Sequence, residues 1–526
     1  MNAEQGAWIV RAMSEPTFYD HPVTEVMLME THISWVFLAG DFAYKVKKPL
    51  NFGFLDFSTL AKRRHYCQEE LRLNRLYSTD IYLALTQIGG SPDAPVINGE
   101  PALEYAVKMR RFPQDCQLDR MLAAGQLHSR QLIAFAKKIA SLHRQAASAG
   151  AGTAYGGSNA VIDPVLENFT QISPFVKGTG AEPHLAKLEQ WTRAACEALQ
   201  PVIRQRKVDG FIRECHGDVH LANMAWFDNQ PLLFDCIEFN ENFRWIDVVN
   251  DIAFLAMDLD DREQTELDWI FLNRYLQETG DYQGVSLLNF YKTYRAMVRA
   301  KVTCLRLAQG DLDATQRRRA EHLFQSYLDL AEQYTLTRAT TLIITHGLSG
   351  AGKSTFSSQL ASLIGGIHLR SDLERKRLHG LAATAGSASP VGGGIYGASA
   401  FARTYDRLRD LAGVVLRSGL PVIVDATFIK GQQRNLFRQL AAELQVPLFI
   451  LDFPLAEGDL RQRVEQRAQN ATADASEAGI EVLEYQLEHA EPLTASEKQR
   501  VITIHPDSTA EAVADTLRTV VLDVKQ

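Results

Sequence analysis

The sequence predicts two domains of different class. Residues 1–335 read as an α+β domain of two lobes, and residues 336–526 as an α/β domain built on a doubly wound parallel sheet. Three observations predict this. The 526 residues exceed what one core holds at roughly 100–200 residues per domain. Past residue 340, short apolar runs alternate with long amphipathic segments, as strands joined by helical crossovers do. Before that point, a strand-rich stretch precedes a longer one dominated by helical periodicity.

Composition narrows the class. Hydrophobic residues at 46% and charged residues at 22% exclude a disordered chain. A formal charge of −8 argues against a generally basic nucleic-acid platform. The six cysteines (Cys67, Cys116, Cys196, Cys215, Cys236 and Cys304) form no CxxC pair, which predicts reduced thiols rather than disulfides or a zinc site. The N-terminal MNAEQGAWIVRAMSEP lacks a signal peptide's basic and apolar regions, and no apolar run reaches the length of a membrane span. The expectation is a cytoplasmic protein with no membrane partner.

In the first domain, SWVFLAGDFAYKVKK (34–48) reads as two strands around a Gly-Asp turn. A helix over 62–77 and a strand over 104–112 complete a small lobe of about 25–115. A helical lobe of about 116–335 follows, interrupted by a Gly/Ala/Ser-rich stretch at 145–160. In the second domain, the runs 341–347, 366–372, 421–427, 447–453 and 500–506 each read as a buried strand. The glycine-rich segments 151–157 and 387–397 are the expected mobile loops.

GLSGAGKS (347–354) fits G-x-x-x-x-G-K-[ST] at every fixed position, between an apolar strand and a helix. Gly347, Gly350 and Gly352 let backbone N–H groups curl around phosphate oxygens, and the helix start adds positive potential there, with Thr355 in its first turn. Lys353 is expected to reach the outer phosphates, and Ser354 to help hold Mg2+. Asp372 follows the second strand, where such sheets bind ligands, and is the expected base toward an acceptor hydroxyl, with Arg375 one turn on. Asp425 ends the strand VIVDAT and suits a magnesium-linked or substrate-linked acid. Arg461, Arg463 and Arg467 lie on a helix after the fourth strand, where a lid covers phosphates. On these motifs, residues 340–526 resemble the small P-loop kinases grouped with gluconate kinase, the zeta-toxin kinases and polynucleotide 5′-hydroxyl kinase. The stretch 472–486 also resembles that group's segment after the lid. The resemblance implies a P-loop NTPase fold and Asp372 as base, and leaves the acceptor open.

HGDVHLAN (216–223) carries the other chemistry. Asp218 and Asn223 have the D-x-x-x-x-N spacing of a kinase catalytic loop, and Asp235 follows the apolar run PLLF. One carboxylate must take or orient the hydroxyl proton, while a second carboxylate and an amide oxygen hold Mg2+. Asp218, Asp235 and Asn223 fill these roles in that order. Lys45, with Lys47 as alternative, is placed to contact phosphates, and Glu70, or the adjacent Glu69, to pair with it. His216 and His220, four apart, have no third ligand at useful spacing, so loop support is expected of His216 rather than metal binding. Asp251 is expected to brace the loop from a buried helix. This half, over roughly 30–330, resembles the aminoglycoside phosphotransferase and choline kinase-like group, which implies a two-lobed protein-kinase-like fold. It departs from that group in having no glycine-rich loop before Lys45.

The joined reading is a bifunctional ATP- and Mg2+-dependent phosphotransferase acting on small-molecule hydroxyls such as sugars or aminosugars. A 5′-hydroxyl nucleic acid stays open for the C-terminal domain, and Arg-rich stretches of the chain such as TQRRRA (315–320) supply local positive charge. The alternative is that one domain alone is a kinase, toxin-like in one version, and the other a nucleotide-sensing or partner-binding module.

Overall fold

The structure, a computed structural model, describes residues 4–53, 55–150, 152–308, 312–337, 339–382, 385, 393–469 and 479–523. It divides into two compact units, Met1–Asp258 and Leu259–Gln526.

The first unit opens with a six-stranded antiparallel sheet: β1 (Val26–Glu30), β2 (Ser34–Ala39), β3 (Phe42–Lys47), β4 (Tyr82–Ser91), β5 (Ala94–Ile97) and β6 (Ala102–Arg110), in the order β1-β2-β3-β6-β4-β5. Gly40, at φ +58°, closes the β2–β3 turn. Phe37, Tyr44, Val46, Ile88 and Ala106 form the core on one face, joined by Ile9 and Met13 of the leading helix. The helix Leu60–Tyr77, N-capped by Thr59, lies between β3 and β4 in sequence and buries Cys67, Glu70, Leu73, Asn74 and Tyr77, one stripe at helical spacing. A helical lobe follows, with long helices Ser129–Gln145, Ser158–Val176, Glu182–Val208 and Val248–Asp261. Two short antiparallel pairs sit within it: β7 (Ile212–Glu214) with β10 (Trp245–Asp247), and β8 (Met224–Phe227) with β9 (Gln230–Leu233). This is the two-lobed kinase-like architecture.

The second unit holds a five-stranded, all-parallel sheet. Its strands are β11 (Leu342–His346), β12 (Ile367–Arg370), β13 (Val422–Asp425), β14 (Leu448–Asp452) and β15 (Val501–Thr503), ordered β12-β13-β11-β14-β15. β13 is buried at every position, as a strand covered on both faces must be. Each of the five runs expected as a strand is one.

The two compact units meet at 258/259. The helices Thr265–Thr279, Leu288–Leu307 and Ala314–Thr335 belong to the same compact unit as the parallel sheet. The reason is visible at the sheet's edge. Asn273 donates to Gly366 O (2.9 Å) and accepts from His368 N (2.7 Å), so its side-chain amide pairs with β12 as a neighbouring strand would. Trp269 lies so close to Gly365 that an added Cβ would sit 3.1 Å from the indole nitrogen. Lys292, buried, bridges Asp260 (2.6 Å) and Asp268 (2.7 Å) beneath this layer.

The six cysteines are free thiols. No described helix is long and apolar enough to cross a membrane. Of the two glycine-rich segments, residue 151 and residues 387–392 lie outside the described residues.

Candidate active sites

In the first unit, the HGDVHLAN loop leaves β7 through Gly217, at φ +84°, where a Cβ would meet Phe243 O at 2.6 Å. Asp251, fully buried, grips the turn. Its Oδ1 accepts from Gly217 N (2.8 Å), and its Oδ2 from His216 N (3.2 Å) and faces His143 Nε2 (3.1 Å). Asp258, two turns further along the same helix, accepts from Leu221 N (2.9 Å). Sequence reasoning missed Asp258, although its spacing of seven from Asp251 was a readable sign that one helix face meets the loop. His216 holds the loop with both ring nitrogens: Nδ1 faces Asp218 N (3.3 Å) and Nε2 faces Phe234 O (3.0 Å). Burial lowers its basicity, which suits a neutral ring and leaves no nitrogen for a metal. His143, Cys215 and Asp251 also bring donor atoms within 4.8 Å of one another, but both Asp251 oxygens already accept loop N–H groups.

Asp218 and Asn223 are in contact, Nδ2 donating to Asp218 Oδ2 (2.8 Å), and His220 Nε2 stands 3.3 Å from the same oxygen. Asp235 sits at φ +62° after the β8–β9 hairpin and donates its N–H to the Tyr82 hydroxyl (3.0 Å). Its carboxylate bonds Lys45 Nζ. Lys45 also meets Glu70 (2.8 Å), whose other oxygen meets Lys47 (2.7 Å). Both lysines therefore bind Glu70. Lys45 is the one that reaches Asp235, while Lys47 is sealed in against Glu238 and lies 4.8 Å from the Phe57 ring centroid. Glu69 pairs instead with Arg72 (2.8 Å). Burial alone would lower the Lys45 ammonium, but Asp235, Glu70 and Glu238 outweigh it and hold it well above the lysine range. Burial would raise Glu70, but the two lysines outweigh it and hold it at about 2. Glu238, buried beside another carboxylate, is pushed up. The β1–β2 connection is a three-residue turn closed by Thr31 Oγ1, which accepts from Ser34 N (2.9 Å), and it contains no glycine.

In the second unit, β11 runs into Gly347–Gly352 and then the helix Lys353–Ile364. Gly350 and Gly352 sit at φ +88° and +89°, and a Cβ on Gly350 would stand 3.1 Å from Val464 and 3.2 Å from Leu460 O. The loop is a cradle a side chain would fill. Gln486, buried, latches it: Ser349 N donates to Oε1 (2.8 Å) and Nε2 donates to Ser349 Oγ (3.0 Å). Lys353 Nζ donates to Leu348 O (2.7 Å). Asp425, at the end of β13, hydrogen-bonds Ser354 and faces His368 Nε2 (3.2 Å). Burial opposes its charge, but these bonds and Arg370 hold it below the usual aspartate range. Asp372, the second residue of the helix Ser371–Leu378, accepts from Arg375 Nη1 (3.1 Å). A cavity of about 220 Å³ collects the glycine loop, Lys353, Ser354, Thr355, Asp372, Arg375, Asp425 and Arg463.

Of the three arginines on the helix Glu457–Gln469, Arg463 lines this cavity. Arg461 is instead engaged by Glu457 (2.9 Å) and Glu484 (3.0 Å), because its own helix and the helix Ile480–His489 both offer it carboxylates. The side chain of Arg467, and residues 472–478, lie outside the described residues.

A family model described as an AAA domain matches residues 342–493. Uncharacterized proteins of Mycobacterium tuberculosis and Mycobacterium bovis are 31% identical over 426 residues, covering 80% of this chain and 83% of theirs. The chain belongs to the family of these mycobacterial proteins. Among solved structures it is similar to three kinases. With a choline/ethanolamine kinase family protein of Mesorhizobium loti, identity is 12%, over 62% of this chain and 99% of that one (TM-score 0.35). With the amicoumacin kinase hAmiN, identity is 12%, over 62% and 96% (TM-score 0.40). With a gluconokinase of Sinorhizobium meliloti, identity is 18%, over 36% and 94% (TM-score 0.26). This chain joins a kinase-like unit, whose strand order and loop grip are described above, to the P-loop unit that the family model matches.

Proposed function

We propose that the protein is a bifunctional ATP-dependent kinase with two separate phosphoryl-transfer sites, each acting on a hydroxyl of a small molecule. The observation that carries the reading is the single cavity that unites the phosphate loop, Asp425 and the Asp372–Arg375 pair. The donor sets fit MgATP in both units. In the second, backbone N–H groups of the cradle and Lys353 would hold phosphates, with Ser354 and Asp425 as the magnesium side. In the first, Lys45 would hold phosphates, with Asn223 and Asp235 as metal ligands. Bound MgATP supplies the transferable phosphoryl group and neutralises part of its charge. Asp372 accepts the acceptor's hydroxyl proton in the second unit, with Arg375 orienting that carboxylate. Asp218, fixed by Asn223, does so in the first. Arg463 stabilises charge as it builds on the phosphoryl oxygens. Free thiols throughout accord with a cytoplasmic setting.

A second reading, in which the first unit senses nucleotide without transferring phosphate, draws support from the glycine-free β1–β2 turn. Labelled ATP offered with sugars, aminosugars, nucleosides and 5′-hydroxyl oligonucleotides decides between them. Relative to the intact protein, Asp218→Asn and Lys353→Ala should each lose transfer to a different acceptor. If neither substitution alters transfer to anything the intact protein modifies, the two-site reading is wrong. If Lys353→Ala alone removes all transfer, the sensing reading replaces it.

A further inference from the structure

Beside the phosphate cavity of the second unit lies a larger one, of about 610 Å³, which shares Phe401, Thr427, Val482 and Gln486 with it. A molecule seated there reaches the Asp372 site directly. The volume lies in the range of drug-sized ligands, about 300–1,000 Å³, and is generous for a lone monosaccharide.

The lining has a definite chemistry. Its apolar part is aromatic and aliphatic: Phe401, Tyr405, Ile429, Leu436, Val482 and Tyr485. Its polar part is mostly amide, from Gln432, Gln433, Asn435, Gln439 and Gln486, groups that donate and accept without charge. Among the described lining residues the ionic groups are two. Lys430 is matched by Glu491 (3.3 Å), and Asp406 is exposed to water. A sugar acid, a phosphorylated acceptor or an oligonucleotide would bring negative charge to a lining whose lysine already has a carboxylate. A polyamine sugar would find one solvated acid. Enclosing either charge here is costly.

Tyr485 gives the lining a direction. It is 46% exposed, and the His489 ring backs it at a centroid distance of 4.1 Å and an angle of 22°. An exposed aromatic face, stiffened from behind at a cavity rim, is a platform for a planar ring. Tyr405, by contrast, is buried, and its hydroxyl oxygen accepts from Phe428 N (3.3 Å). It is wall, not recognition.

We infer that the second unit's acceptor is an uncharged ring-bearing alcohol of nucleoside size, held by ring stacking on Tyr485 and by side-chain amides, with its hydroxyl delivered to Asp372. This rests on the kinase reading of the same site. In the transfer itself the acceptor oxygen forms the new O–P bond, the bond from the γ-phosphorus to the bridging oxygen breaks, ADP leaves, and the hydroxyl proton passes to the Asp372 carboxylate. Two sources share the chemistry, nucleosides and aryl glycosides.

The test uses the full chain carrying Asp218→Asn, so that transfer reports the second unit. Uridine, thymidine, an aryl β-glucoside, gluconate, an aminoglycoside and a 5′-hydroxyl oligothymidylate are offered with labelled ATP, and binding of each is followed by calorimetry. A neutral ring compound should be bound and phosphorylated, and which arm responds separates nucleoside from glycoside. Tyr485→Ala should raise its KM about tenfold with kcat within about twofold, the loss of one stacked face. Preference for gluconate, the aminoglycoside or the oligonucleotide overturns the inference, as does a KM unmoved by Tyr485→Ala. If ATP binds in a Lys353-dependent way while no neutral ring compound binds or reacts, the inference falls and the kinase reading stands. If ATP does not bind in that way, the kinase reading falls first.

Discussion

The two neighbouring lysines of β3 should behave in opposite ways when each is replaced by methionine. Lys45 contacts Glu70 and Asp235, and Lys47 contacts Glu70 and Glu238. Either substitution leaves Glu70 one lysine. What differs is the other carboxylate. Asp235 has a side chain 46% exposed and regains water when Lys45 is lost, whereas Glu238 is 4% exposed and is stranded beside Glu70 when Lys47 is lost. Stranding a buried charge costs about 3–5 kcal/mol, and losing a pair to a solvated partner about 1 kcal/mol. At about 3 kcal/mol per M of urea, Lys47→Met should lower the unfolding midpoint of the first unit by about 1–2 M, and Lys45→Met by about 0.3 M. The unit can be followed in the intact chain, because five of the six tryptophans (8, 35, 191, 226 and 245) precede residue 259. Adding Glu238→Leu to Lys47→Met removes the stranded charge and should recover at least half the loss. Transfer by the first unit should rank the other way, falling about a hundredfold in Lys45→Met and less in Lys47→Met. Equal midpoint shifts for the two single variants, or a double variant as unstable as Lys47→Met, would refute the division into a site lysine and a caged one.

Four more outcomes follow from the geometry. Asp258→Ala frees Leu221 N and should slow first-unit transfer about tenfold while Asp258→Asn keeps most of it, since the amide oxygen still accepts; kcat for the two variants decides it. Gly350→Ala puts a side chain at φ +88° against Val464 and Leu460 O and should weaken ATP binding at the second site by about tenfold or more, read by calorimetry with Asp218→Asn as background. Gln486→Leu removes both latches on Ser349 and should cost about 1–2 kcal/mol of ATP affinity at that site with the fold intact by circular dichroism. Burial outweighs the attraction of Lys292 and pushes Asp268 up to about 7; a raised folded value favours the protonated fold, so this contribution is full below about pH 4 and lost as pH rises through 7. Asp268→Asn should remove that slope and raise the second unit's Tm at pH 8 by a few degrees relative to pH 5, measured by scanning calorimetry.

Chemistry that depends on local spacing was legible in the sequence. The glycine loop, the Asp218–Asn223 interval and the five strand runs each fit within one or two elements; the structure makes each run a strand and brings Asp218 and Asn223 into contact. Choices that depend on distant partners were not. Lys45 and Lys47 point to the same face of β3, and Glu69 and Glu70 are adjacent, so spacing cannot rank them. They are ranked by Asp235 and Glu238, almost 200 residues away. Gln486 is hidden for the same reason, as a glutamine on an amphipathic helix whose partner is a loop 137 positions earlier.

The boundary between the units shows the same limit at a larger scale. Helical periodicity says that a segment has an apolar face and says nothing about which sheet or helix covers it. The three helices over 265–335 follow the kinase-like lobe without a break in pattern. Several contacts tie them to the parallel-sheet region, among them Trp269 against Gly365 and Arg377 Nη2 donating to Gln277 O (2.7 Å), and one is a polar side chain on the sheet edge. Asn273 satisfies a carbonyl and an N–H at the open edge of β12, and the His368 whose backbone it fixes turns its ring to Asp425. An edge strand must be covered or blunted in some way. Here the cover comes from the preceding helical segment, and it ends at the carboxylate that meets Ser354. Asn273→Leu should therefore do more than destabilise the second unit. It leaves two buried backbone groups unpaired, at about 1–3 kcal/mol each, and frees the His368 backbone. ATP affinity at the second site should then fall more than in Leu517→Ala, which cores the same unit on the helix Ala510–Asp523 without touching β12. Equal loss of affinity at matched loss of stability would mean that Asn273 is packing alone.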